Sequence, residues 1–270
     1  MQGLLIYPLN YKKNRKYPLI LMVHGGPESH VSDGWIDRYS YPVKYAASRG
    51  FMVFLPNYRG SSGRGESFAK LAQGKTAGKE FDDLVDGAVS LIDKGLVERN
   101  KIAISGVSYG GYAAAWGATA LTKYFAASVM LAGYGDQISK FGTTDISKEL
   151  YQVHLRAHPW DDWQRALRIS PIFYTDKAQT PLLILHGEKD PRVHPSQALE
   201  MYRYIKTRTD TAVRLVLYPE EAHGFSYNAA QLDAAIRLMR WMEFYLLQDH
   251  KRTEKPNAEV DFEHYLSEPQ

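Results

Sequence analysis

The sequence contains no cysteine. Disulfides, thiol nucleophiles and cysteine zinc sites are therefore excluded, while the redox compartment is left open. Long apolar runs are missing too: none approaches the roughly 20 residues that span a bilayer. The first residues, Met1-Gln2-Gly3-Leu4-Leu5-Ile6-Tyr7, lack the basic start and long apolar stretch of a secretory signal. The expectation is a cytoplasmic protein without membrane contact. Charge of one sign is equally scarce: 33 basic residues face 30 acidic ones, a formal net charge of +3. The densest basic stretch, Lys12, Lys13, Arg15 and Lys16, reads as a solvated turn. Neither nucleic acid nor an anionic membrane is indicated as a partner. There is no internal repeat and no low-complexity segment.

What is present suits a packed domain. The 270 residues fit one large α/β domain or two small ones, and 44% hydrophobic residues supply a sizeable core. Short apolar runs at 19–23, 51–55, 102–105, 127–131, 182–185 and 213–217 read as strands. Several are apolar almost throughout, as in a parallel sheet covered on both faces. Between them, Asp37–Ser48, Lys79–Lys94, Tyr109–Leu121, Pro195–Thr207 and Ala229–Gln248 read as helices. This alternation predicts an α/β fold: a mostly parallel, doubly wound sheet with helices on both faces. Residues 133–170 break the rhythm. They carry Tyr134, Phe141, Tyr151, Trp160 and Trp163 without a clean strand. The segment reads either as a lid or pocket-forming insertion or as a surface excursion packing its own aromatics. The last helix is apolar nearly all round, from Leu232 to Leu247; deep burial is the commoner cause of that pattern, a contact in a homo-oligomer the other. The catalytic domain is expected over 1–250, and a polar tail over 251–270 is expected to fray.

Gly106-Val107-Ser108-Tyr109-Gly110 follows a predicted strand and opens a predicted helix. This is the G-x-S-x-G nucleophile elbow of the α/β-hydrolase fold in its required setting. The turn is so tight that side chains at Gly106 and Gly110 would clash. Ser108 then stands clear of the sheet, at the positive end of the helix. A serine hydroxyl needs a base. His223, in Glu221-Ala222-His223-Gly224-Phe225, follows the last predicted strand, where the order Ser, acid, His places it. His24 and His186 end strands and are expected to hydrogen-bond loop backbone. His154 and His158 are four apart, but no third ligand or H-E-x-x-H pattern supports zinc. The acid that orients the imidazole is read as Asp190, just after the 182–185 strand, with Asp136 and Glu188 as rivals. The oxyanion would be held by the backbone N–H of Tyr109 and by Gly26 in His24-Gly25-Gly26-Pro27.

Together these pieces resemble the catalytic domain of the prolyl oligopeptidase family of serine peptidases, which includes acylaminoacyl peptidases and dipeptidyl peptidases. The matching stretches are His24–Pro27, Asn57-Tyr58-Arg59-Gly60-Ser61, Gly106–Gly111 and Phe141-Gly142-Thr143-Thr144-Asp145. Ser170-Pro171-Ile172, His186–Asp190 with Arg192-Val193, and His223-Gly224-Phe225 complete the set. The resemblance implies that Arg192 binds a substrate backbone carbonyl, the alternative being a structural ion pair. It makes Tyr58 and Arg59 framework residues, and Phe141 and Trp160 candidates for the specificity pocket. It also implies a β-propeller and another strand or two ahead of this region, for which these residues have no room. The acidic groups that grip a free peptide amine in dipeptidyl peptidases would lie in that propeller.

The expected chemistry is acyl transfer to water through a Ser108 acyl-enzyme, with no cofactor and no metal. The first reading is a serine hydrolase of short or N-acylated peptides that also cleaves activated esters. The second is a carboxylesterase acting on short-chain acyl esters with little peptidase activity, since esters carry the better leaving group. A non-catalytic binding module is disfavoured, because nucleophile, base, acid and oxyanion glycine are all present.

Overall fold

The computed structural model describes residues 2–248 and 250–259. Among them, seven strands form a single sheet: β1 (Gln2–Ile6), β2 (Tyr17–Val23), β3 (Met52–Asn57), β4 (Val97–Val107), β5 (Ala127–Leu131), β6 (Leu182–Gly187) and β7 (Val213–Tyr218). Their spatial order is β1-β3-β2-β4-β5-β6-β7, with β1 antiparallel to β3 and every other neighbour parallel. The apolar runs have their explanation here: β2, β5 and β6 are buried along their whole length, as strands covered on both faces must be.

The two faces receive alternate residues of the same strand. Leu19, Leu21 and Val23 of β2 face one core, with Phe81 and Leu84 of α3 (Lys79–Asp93), Tyr112 of α4 (Tyr109–Ala118) and Met201 of α8 (Ser196–Arg208). Ile20 and Met22 face the other, with Ala46 of α1 (Val43–Ser48) and Leu238, Met239 and Met242 of α9 (Asn228–Leu246). The α/β-hydrolase fold expected from the sequence is the fold observed. The apolar excess of α9 is spent inside the chain, since Ile236, Leu238, Met239, Trp241, Met242 and Leu246 are all buried.

Four details differ from the sequence reading. β1 was not among the expected strands; it is a short edge strand with a half-exposed face, so its apolar content is diluted. The helix expected over Asp37–Ser48 begins only at Val43. Pro42 disfavours helical geometry at Tyr41, and the Asp37 carboxylate instead accepts from the Lys44 N–H at 2.9 Å. β4 begins at Val97, well before the expected 102, through a polar start that hid it. Fraying after His250 is not seen as far as residue 259. The Ala212 N–H donates to the Arg252 carbonyl at 2.8 Å, and Arg214 and Arg237 donate to the carbonyls of Asn257 and Ala258. The rest of the expected tail, 260–270, lies outside the described residues.

The segment 133–170 between β5 and β6 contains no strand. It is built from α5 (Gln137–Thr143), α6 (Ser147–Glu149), a π-turn at Leu150–Leu155, a 3₁₀ turn at Pro159–Asp161 and α7 (Trp163–Arg168). A short α2 (Glu66–Ala69) lies in the loop before α3.

Candidate active site

The sheet order reverses direction at β2 and β4: the chain steps outward from β2 to β3, then crosses back to β4 and continues the other way. Crevices at the carboxyl ends of strands at such a switch point are where α/β proteins place ligands. The loops after β2 and β4 meet there. An ideal Cβ on Gly25 would lie 3.8 Å from Ser108 Oγ, so the His24–Pro27 loop runs directly against the elbow serine.

Ser108 is held at φ 58°, ψ −117°, backbone that non-glycine residues adopt only under constraint. The constraint is visible. The Ser108 N–H donates to the Leu131 carbonyl at 3.0 Å, and the Ser108 carbonyl accepts from Tyr112 N–H at 2.9 Å to start α4. At Gly110 any side chain would drive into β2, because a Cβ would fall 2.0 Å from the Val23 carbonyl oxygen. On the facing loop, Gly26 has φ +122°, and a Cβ there would meet the Glu28 N–H nitrogen at 2.6 Å. Gly25 therefore brings bare backbone against the serine, while Gly26 and Gly110 sit where a side chain has no room.

His223 and Asp190 are brought together. His223 Nδ1 lies 2.8 Å from Asp190 Oδ2, and both follow adjacent parallel strands, β7 and β6. Asp190 is 2% exposed. Its Oδ1 accepts from the Arg192 and Val193 N–H groups, each at 2.9 Å. Burial alone would raise its pKa. Hydrogen bonding from His186 and His223 outweighs that and holds the carboxyl below the ordinary carboxylate range. The rivals stand apart from His223. Asp136 caps α5, accepting from Ile138 N–H at 2.9 Å and Ser139 N–H at 3.4 Å. Glu188 points to solvent.

Two further histidines, His24 and His186, have structural work. His24 Nε2 and Ser61 Oγ are 2.9 Å apart, its Nδ1 is 2.7 Å from the Gly25 carbonyl, and its ring stacks on Tyr58 at 4.5 Å. His186 is buried beneath the acid: its Nε2 donates to the Val193 carbonyl at 2.8 Å and lies 3.4 Å from Asp190 Oδ2. The sequence reading foresaw its backbone bond but not this support of Asp190; the i, i+4 spacing of the two residues was the available signal. Among the described residues no cluster could hold a metal ion.

The third group of expected residues lies at the rim. Arg192 is paired with Asp145, Nε to Oδ1 at 2.6 Å, and Thr144 Oγ1 donates to the Arg192 carbonyl at 2.6 Å. The ion pair thus joins the acid loop to the end of α5. Phe141 and Trp160 meet edge to face at 5.5 Å, and His158 is stacked between Tyr151 at 3.9 Å and Trp160 at 4.5 Å. Phe141, Tyr151, His158 and Trp160 of the 133–170 excursion thus pack on one another, while Tyr134 stacks on Tyr112 of α4 at 4.4 Å. The excursion also comes close to the glycine loop, where His154 Nε2 lies 3.2 Å from Glu28 Oε2.

Burial lowers the His24 pKa to about 4. At pH 5 to 6 an unfolded imidazole, near 6.5, binds a proton that the folded one refuses, so the unfolded state gains stability as the pH falls. This contribution is complete above about 6.5, is lost towards pH 4 and amounts to roughly 3 kcal/mol. The depressed Asp190 carboxyl acts in the same direction at lower pH. The urea midpoint is expected to fall between pH 7.5 and pH 4.5; an unmoved midpoint would show that His24 is not buried neutral.

A family model described as the prolyl oligopeptidase family matches residues 37–249. The chain belongs to that family. Relatives include the uncharacterized peptidase YuxL of Bacillus subtilis, 31% identical over 84% of this chain and 34% of its own length. Dipeptidyl-peptidase 5 of Porphyromonas endodontalis is 30% identical over 89% of this chain and 35% of its own length. Among solved structures, the acylaminoacyl peptidase of Pyrococcus horikoshii superposes with a TM-score of 0.80 at 28% identity, covering 98% of this chain and 42% of its own. An acylaminoacyl peptidase in complex with Z-Gly-Gly-Phe-chloromethyl ketone gives 0.82 at 27% identity, covering 98% and 41%. The chain spans about a third of the length of the curated relatives it matches. The family match starts after β2, and the two superpositions, each covering 98% of this chain, extend the likeness over the described sheet. No helix among the described residues is long and apolar enough to cross a membrane.

Proposed function

We propose that this chain is a serine peptidase domain that cleaves short or N-acylated peptides, and activated esters, through a Ser108 acyl-enzyme. The observation that carries the reading is the buried, doubly hydrogen-bonded Asp190 holding His223 Nδ1 at 2.8 Å, at the same sheet edge as the strained elbow serine. With Nδ1–H directed at the carboxylate, Nε2 carries the lone pair that removes the Ser108 proton. The oxygen of the tetrahedral intermediate would lie between the Tyr109 and Gly26 N–H groups, on backbone fixed before substrate arrives. His223 then returns its proton to the leaving amine, and water repeats the sequence to release the acid.

The relatives named above are peptidases, and one structural neighbour was solved with a blocked peptide ending in phenylalanine. Both support amide substrates over the carboxylesterase reading. In this reading Phe141 and Trp160 line the pocket for the side chain on the acyl side. Arg192, whose guanidinium keeps donors beyond those on Asp145, offers the contact to a substrate carbonyl. The test compares kcat/KM for acetyl-phenylalanine p-nitroanilide and the matched p-nitrophenyl ester, with fluorophosphonate-blocked protein as control. Serine-dependent turnover of the anilide is expected. Turnover of the ester alone would make the chain functionally an esterase.

A further inference from the structure

The second residue of α3 is a glutamate that the reaction above does not use. Glu80 is 1% exposed. Its Oε1 accepts from the Tyr109 hydroxyl at 3.0 Å, and its Oε2 accepts from the Gly78 N–H at 3.0 Å. Tyr109 is the residue immediately after the elbow serine, and its ring is buried against Phe81, Tyr112 and Tyr58, with centroids 5.8, 5.5 and 6.2 Å away. Tyr58 in turn donates to the His24 carbonyl at 3.0 Å and stacks on the His24 ring. A single buried chain thus runs from Glu80 through Tyr109 and Tyr58 to the loop that carries Gly26. Both proposed oxyanion donors hang on it.

We propose that Glu80 is a positioning residue for the oxyanion hole, fixing Tyr109 through its hydroxyl so that the Tyr109 N–H is aimed before the intermediate forms. The inference rests on the reading of Ser108 and Tyr109 given above. A buried carboxylate here is a costly group whose polar contacts are directed at the elbow and at the first turn of its own helix. Aromatic packing alone would hold the ring in its slot. The hydroxyl bond adds a fixed depth and rotation of that ring about the α4 axis, and so a fixed direction for the backbone N–H beside it.

The charge state of Glu80 matters to this task, because only the carboxylate accepts both bonds without a competing proton. Burial pushes its pKa up to about 7, while the helix N-terminus and the two donors favour ionisation. The groups facing it are the Tyr109 and Tyr112 hydroxyls on α4, the Tyr58 and Tyr134 hydroxyls, and Arg59. Arg59 is itself committed to Asp83 at 2.9 and 2.5 Å. On its own helix Lys79 is exposed and Asp82 lies in the same first turn. Glu80 must then lose its proton for full activity.

The experiment uses the full 270-residue chain, with acetyl-phenylalanine p-nitrophenyl ester. Glu80→Gln is expected to lower kcat by about tenfold or more with KM unchanged, a fraction of the loss of a whole oxyanion donor. The acid limb of log kcat against pH is expected to become less steep by about one proton. Tyr109→Phe, which removes only the hydroxyl, should reproduce the kcat loss, and the double variant should be no worse than either. Wild-type kcat and an unchanged acid limb in both single variants, with Ser108→Ala still inactive, would overturn the role of Glu80 while sparing the active-site reading. Turnover that survives Ser108→Ala would overturn that reading itself. A kcat loss accompanied by an equal rise in KM and a lowered melting temperature would reduce Glu80 to a framework residue.

Discussion

Ser108→Ala is expected to lower kcat by about 10⁶-fold, the scale at which removal of a nucleophilic serine leaves only binding and oxyanion stabilisation. The substitution is clean because of the backbone. Ser108 sits at φ 58°, ψ −117°, and alanine keeps the Cβ that makes this conformation costly, so the strain of the elbow is unchanged. The Ser108 N–H bond to the Leu131 carbonyl and the carbonyl bond that starts α4 are made by backbone and persist. The melting temperature should therefore stay within a degree or two of the parent, in line with a surface-sized effect of about 0.5 kcal/mol. Fluorophosphonate labelling followed by mass measurement of the intact chain should give one adduct on the parent and none on the variant. An adduct on the variant would place the nucleophile elsewhere.

The second large effect is expected at Asp190. Asp190→Asn preserves size and one acceptor oxygen but places an amide where Oδ2 now faces His223 Nδ1 at 2.8 Å. The same oxygen lies 3.4 Å from His186 Nε2, which donates to Val193. If the asparagine keeps its carbonyl on the Arg192 and Val193 N–H groups, its NH₂ is turned towards both rings. His223 must then accept at Nδ1 and carry its proton on Nε2, the tautomer that cannot take a proton from serine. Loss of the correct tautomer costs about 10⁴-fold in kcat. The alternative flip keeps a carbonyl towards His223 but directs the NH₂ at two backbone donors, leaving buried N–H groups unpaired at about 1–3 kcal/mol each. The first outcome is expected, and a kcat ratio measured above pH 8 checks it. A loss of less than tenfold would show that the carboxylate does not orient the imidazole. Fluorophosphonate labelling of Asp190→Asn should be slowed but not abolished, because the nucleophile remains.

Much of this chain could be read without coordinates, because periodicity and punctuation are local. β2, β5 and β6 are uninterrupted apolar runs because both their faces are covered, and that burial is written into every residue. The elbow was legible for the same reason: Gly110 cannot carry a side chain beside the Val23 carbonyl, so the glycine spacing records a steric fact. The start of α1 at Val43 depended on Pro42, which the apolar spacing of the preceding residues masked. The edge strand β1, half wet, has too weak an alternation to stand out.

What only the tertiary structure decided are the pairings between distant loops. Asp136, Asp190 and Glu188 all follow strands, and nothing local distinguishes their carboxylates. The fold does, by spending Asp136 on the N-terminus of α5, leaving Glu188 in solvent and closing Asp190 onto His223. The pairing of Arg192 with Asp145, the support of Asp190 by His186 and the link from Glu80 to Tyr109 are of the same kind. A sequence fixes which groups exist and how far along the chain they stand. The direction in which a side chain points is set by strand order and loop closure. Those depend on contacts between residues dozens of positions apart, and so only the folded sheet assigns each carboxylate its partner.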